Sequence, residues 1–238
     1  LYAFVLHFYN SLKNSLLKKA FTLLELIFVV IIIGIIMSII VSNPKDTKLR
    51  EAAIQLISHI RYTQHLAMID DKFSVNDALV FEKAKWYKAR WQIIFTNGVP
   101  TANSAGLPGY AIFSDFIGSR SGHANRREIA VDPLSQQIVT SGVTKSVRLD
   151  SKNIYQKANL GKTYGITDIA LTGRWNRGHR ISFDHLGRPL TGNLSSYDSS
   201  YKNKRNLISS PCNITLTDSN AQTVTIIIEE ETGYIHFK

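Results

Sequence analysis

With 238 residues, 44% of them hydrophobic and 19% charged, the chain can bury one sizeable core and is too apolar for disorder or a collagen-like repeat. Its 28 Lys and Arg outnumber 18 Asp and Glu, and this formal charge of +10 directs attention to phosphate-bearing partners and anionic membrane surfaces. The single cysteine, Cys212, excludes an intramolecular disulfide, a CxxC redox pair and a cysteine-rich zinc site.

The first predicted element is Phe21 to Val41, twenty-one residues interrupted only by Thr22, Glu25, Gly34 and Ser38. As a helix it would measure roughly 32 Å, close to a hydrocarbon thickness of about 30 Å. Composition alone also suits an uncleaved signal anchor or a secretory segment cut near Ser42, but the run is long for the latter and Ile40 fits such a cut poorly. Lys13, Lys18 and Lys19 before it and Lys45, Lys48 and Arg50 after it leave its orientation undecided. Glu25 is the residue that composition does not explain, because an unpaired carboxylate costs several kcal/mol to insert. A free amino group created just upstream by proteolysis is a fitting partner for it.

Pro44 is expected to bend or interrupt that helix. Beyond it, Leu49, Ala53, Leu56, Ile60 and Ala67, widened by Ala52 and Ile57, form a stripe that leaves Arg50, Arg61 and His65 outside. This spacing predicts an amphipathic helix from about Asp46 to Asp70, with Asp46 as its cap and the Asp70-Asp71 pair at the end that disfavours acids. One long helix broken at Pro44 is the preferred reading, and two helices joined by a proline linker is the alternative.

From about residue 90, β-branched and aromatic runs alternate with turn residues. They predict strands at Trp91 to Phe95, Tyr110 to Phe113, Glu128 to Val131, Gln137 to Thr140, Ser146 to Asp150, Ile166 to Leu171 and Arg180 to Asp184. Asn213 to Thr217, Thr223 to Glu230 and Tyr234 to Phe237 predict a closing antiparallel meander. Thr101 to Gly109, Gly118 to Arg127 and Gly192 to Asn206 read as surface loops.

Lys18-Lys19-Ala20-Phe21-Thr22-Leu23-Leu24-Glu25 resembles the prepilin cleavage motif of type IV pilins and type II secretion pseudopilins. The resemblance implies a cut between Ala20 and Phe21 by a prepilin peptidase, N-methylation of Phe21, and a new amine that pairs with Glu25 of a neighbouring subunit. Ala20 stands where the family usually has glycine, and the apolar start Leu1-Tyr2-Ala3-Phe4-Val5-Leu6 departs from its short basic leaders. Within the family, Arg50-Glu51-Ala52-Ala53 and Ile60-Arg61-Tyr62-Thr63-Gln64-His65-Leu66-Ala67 resemble the helix of GspH/FimT-type minor pilins. Ile181-Ser182-Phe183-Asp184-His185-Leu186-Gly187-Arg188-Pro189 and Thr232-Gly233-Tyr234-Ile235 resemble their late strand and closing turn, while Phe73 to Gly178 stays largely unmatched.

The implied fold is α+β: a leader at 1–20, a transmembrane and assembly half-helix at 21–45, an amphipathic half at 46–72 and a periplasmic antiparallel β-rich domain at 73–238. The implied function is that of a minor pilin or pseudopilin, with no enzymatic activity and no cofactor. Its partners would be other pilins through the N-terminal helix, the peptidase and the bacterial inner membrane, before incorporation into a pilus or pseudopilus.

Two constellations invite chemistry. His179, Asp184 and His185 could suggest a metal, but on a strand the two histidines stand about 20 Å apart, too far for shared ligation, so no metal is expected. Lys83, Lys85, Lys88 and Arg90 interleave with Trp86, Tyr87 and Trp91, and Arg126 and Arg127 lie in a loop. Cations for phosphate and rings for stacking make Lys83, Lys85, Trp86, Lys88, Arg90, Arg126 and Arg127 candidates for DNA binding. Some FimT-type pilins bind DNA for uptake, although their basic Gly-Arg element is absent here, where Tyr234 follows Gly233. The competing reading is that the charges solvate loops and the rings pack in the core.

Overall fold

The computed structural model describes residues 22–40, 44–73, 85–96, 106–116, 122–141, 151–173, 179–201 and 207–238. The chain divides into two compact units, Leu1–Pro44 and Lys45–Lys238.

In the first unit, helix α1 spans Leu23–Ile40. Thr22 begins it in the manner of a capping residue, its hydroxyl accepting from the Glu25 amide at 3.2 Å. Its side chains from Leu23 to Met37 are exposed all round, isoleucines and valines included, so no polar face marks a side for solvent. Among the described residues, no helix is long and apolar enough to cross a membrane. The 18 described residues of α1 reach about 27 Å, and the ends of the expected span, Phe21 and Val41, lie outside the described residues.

Helix α2, Pro44–Ile69, belongs to the second unit from Lys45 onward. Residues 41–43 lie outside the described residues, so α2 is described from Pro44, two residues before the expected Asp46. Leu49, Ala52, Ala53, Leu56, Ile57, Ile60 and Ala67 enter the core in the expected stripe. Asp70 ends the helix with two compensations for its unfavourable position: it accepts from the Trp91 indole N–H at 2.8 Å and pairs with Lys72.

The strands form two antiparallel sheets. The first contains β1 (Trp91–Thr96), β2 (Gly109–Ser114), β4 (Arg180–Phe183) and β5 (Pro189–Thr191), in the order β2-β1-β4-β5. The second contains β3 (Ile166–Thr172), β6 (Cys212–Asp218), β7 (Thr223–Ile228) and β8 (Ile235–Phe237), in the order β3-β6-β7-β8. The predicted meander is β6-β7-β8, and Asp218 shapes its first turn by accepting from the amides of Asn220 and Gln222 at 2.8 and 2.9 Å. Alternate residues of β6 are buried, as expected of a strand with one face on the core.

Two predicted strands are corrected. Glu128 to Val131 and Gln137 to Thr140 form only isolated bridges, Phe113 to Ile129, Val131 to Ile138, Ala111 to Thr140 and Ile138 to Ile154. Asn125 and Glu128 cap a short 3₁₀ turn at Arg126–Glu128, and Asp132 accepts from the Ser135 amide at 2.7 Å, so local side-chain bonds displace the ladder. Ser146 to Asp150 lies outside the described residues. Short β5 and a five-residue helix α3, Leu160–Tyr164, were not predicted.

One apolar cluster joins α2 to both sheets, through Leu56 and Ile60 on the helix, Ile93, Ile112 and Ile181 on the first sheet, and Ile169, Leu216 and Ile226 on the second. The opposite face of the first sheet is also covered, by Ala124 and Ile129 on one side and by Tyr87, Leu194 and Tyr197 on the other.

Candidate functional site

Ala20 and Phe21 lie outside the described residues. Glu25 is described: it is the third residue of α1, exposed among exposed Leu, Ile and Phe side chains. A carboxylate in the first turn suits the positive end of the helix dipole, so Glu25 has a local role in addition to any role between subunits.

Three of the four family-like segments, 60–67 on α2, 181–189 and 232–235, meet at one place. Gln64 of α2 donates its side-chain N–H groups to the carbonyls of Gly187 at 2.8 Å and Thr232 at 3.1 Å. Arg61, one turn earlier, donates to the Ile235 carbonyl at 2.8 Å and so ties β8 to the helix. Gly187 and Gly233 take left-handed φ angles of 78° and 64°, and a methyl on Gly233 would lie 2.7 Å from both the Gln64 amide nitrogen and the Gly187 carbonyl. Below this junction, buried Asp184 organises the β4–β5 turn. It accepts from the amides of Leu186 and Arg188, from the Arg188 guanidinium at 2.8 Å and from the Tyr201 hydroxyl at 3.0 Å.

A second polar group lies deeper. His59 faces inward beside Leu56 and Ile60; Tyr110 of β2 donates to its Nδ1 at 2.7 Å, and its Nε2 faces Asp132 at 3.4 Å. Burial pulls the His59 imidazole below its ordinary value despite the opposing influence of Asp132. Burial also pushes the Asp132 carboxyl up, but hydrogen bonds from Ser135 and His59 outweigh it and hold the group below the usual carboxylate range. The tautomer that satisfies both neighbours is protonated at Nε2. With Tyr62 and Tyr155 rings beside it, this arrangement clamps helix to sheet and presents no group to a substrate. A histidine placed within an apolar helical stripe was the available sequence signal for it.

The basic and aromatic candidates do not form one open patch. Arg90 is 5% exposed, its guanidinium between the rings of Trp86 at 5.0 Å and Tyr201 at 4.7 Å, and it donates to the Ser200 carbonyl. Lys88 donates to the Ser195 carbonyl at 2.5 Å, and Trp86 is half-buried against Phe73 and Tyr87. Lys85, Arg126 and Arg127 are exposed, and Lys83 lies outside the described residues. His179 and His185 are exposed, and among the described residues no group of three or more His, Cys, Asp or Glu could hold a metal ion. No family model, curated protein or solved structure matches the chain.

Proposed function

We propose that the chain is a minor pilin or pseudopilin, a structural subunit anchored in a bacterial inner membrane by the apolar segment and then drawn into a thin filament through it. The observation that carries this reading is α1, a helix with apolar side chains exposed on every side and one carboxylate in its first turn. Such a surface demands cover by lipid or by other subunits, and its one acid demands a cation. The α2 junction adds support: the segments that resemble the GspH/FimT helix, late strand and closing turn are tied together by Gln64 and Arg61.

The test begins with the mature N-terminus. Mass spectrometry of protein from sheared filaments should give N-methyl-Phe21 as the first residue, and a first residue near Asn43 would overturn the reading. The second arm is Glu25→Ala. Insertion and processing should persist, while filament incorporation falls sharply, because a neighbour's buried ammonium loses a partner worth roughly 3 to 5 kcal/mol. Glu25→Gln, which removes the charge but keeps the size of the side chain, should lose incorporation as Glu25→Ala does, and normal incorporation would overturn the need for a charge there.

A further inference from the structure

Where the core face of the second sheet runs out under the first turns of α2, it leaves a groove of about 610 Å³ lined by Thr47, Leu49, Arg50, Thr223, Val224, Phe237 and Lys238. Strand pairing explains its floor. Ile226 stands opposite Phe237, and Val224 is two residues from Ile226, so Val224 and Phe237 share the face that buries Ile226 and Ile228. The floor is therefore an open continuation of the core, with Leu49 above it and Phe237 left 37% exposed. The rim is different: Arg50 and Lys238 are exposed cations, Thr47 and Thr223 contribute hydroxyls, and no carboxylate side chain is among these lining residues.

An apolar floor under a cationic rim fits an amphiphile with an anionic head. Sequence proximity points to its source, since only six residues of the chain separate Thr47 from Ile40, the last residue of α1. We propose that this groove binds the phosphate head and upper acyl chain of an anionic phospholipid, with Arg50 and Lys238 on the phosphate and Leu49, Val224 and Phe237 against the chain. The site rests on the reading of α1 as a membrane anchor. It would hold the β domain against the anionic leaflet until the subunit is extracted.

The experiment uses the full chain in micelles holding equal phosphatidylglycerol and phosphatidylcholine, with lipid adducts read by native mass spectrometry. Phosphatidylglycerol should be favoured by about fivefold for each of the two cations. The variant Arg50→Gln with Lys238→Gln, altered only at exposed positions, should bind the two lipids equally. No preference in the native chain, or a preference that survives in the variant, would overturn the site. Displacement of the lipid by excess inorganic phosphate would reassign the groove to free phosphate and overturn the lipid. Flotation with vesicles of phosphatidylcholine alone tests the anchor separately. A chain that fails to float removes the membrane reading and the site with it, whereas one that floats without headgroup preference removes the site alone.

Discussion

His59 illustrates how one side chain couples stability to pH. Its imidazole is 3% exposed and must stay neutral to accept from Tyr110 and donate toward Asp132. Because its folded value lies below the ordinary 6.5, the unfolded chain takes the proton first. The contribution of His59 is therefore complete above pH 6.5 and is lost as pH falls through that value towards the folded one. Asp132 adds a second loss below the ordinary 3.8, because its folded value is also lowered. Urea unfolding should show a midpoint that declines as pH is lowered from 7 to 5, and His59→Phe should flatten that slope. At pH 7 the variant should lose about 2 to 4 kcal/mol, since the Tyr110 hydroxyl and Asp132 are left buried without this partner. An unchanged pH slope in the variant would show that other groups set it.

At the scale of elements, the period-3.6 stripe of α2 and the strands β3, β6 and β7 were legible because each buries one continuous face against the core. The bridges around Ile129 and Ile138 were not, since their composition is strand-like and strand periodicity does not weigh the capping pairs Asn125–Glu128 and Asp132–Ser135, each three residues apart. Gln64 was quoted within a helical motif without a role. Its function as the tie between two turns more than a hundred residues away required the fold. That tie yields a prediction. Gly233→Ala places a methyl 2.7 Å from two polar atoms in a left-handed backbone, so it should cost at least about 2 kcal/mol. Gln64→Ala should cost about 1 to 2 kcal/mol by freeing two carbonyls. Because the clash with Gly233 includes the Gln64 amide, the double variant should lose less than the sum, and simple additivity in urea melts would contradict the tie.

Over the whole molecule, charge was easier to count than to place. The chain carries +10, three of the cations being Lys13, Lys18 and Lys19 ahead of α1, and sequence spacing grouped part of the rest with tryptophans as a DNA surface. Folding divides that group. Arg90 is buried between Trp86 and Tyr201, and Lys88 is committed to the Ser195 carbonyl, so of the described candidates Lys85, Arg126 and Arg127 are the exposed cations. Spacing could not reveal this, because Tyr201 and Ser195 lie more than a hundred residues from Arg90 and Lys88. Trp86→Ala should accordingly act on stability, by about 1 to 3 kcal/mol, through lost contacts with Arg90, Phe73 and Tyr87. At matched concentrations of folded protein it should leave gel retardation of single-stranded DNA unchanged. Any retardation should be weak, confined to low salt and indifferent to sequence, because two neighbouring arginines on a loop contact phosphate without reading bases. Replacing Arg126 and Arg127 together by Gln should flatten its dependence on salt by roughly two units if both contact phosphate. Loss of retardation in a folded Trp86→Ala protein would instead mean that the indole leaves its packing against Arg90 to stack on bases, and would return Trp86 to the DNA surface.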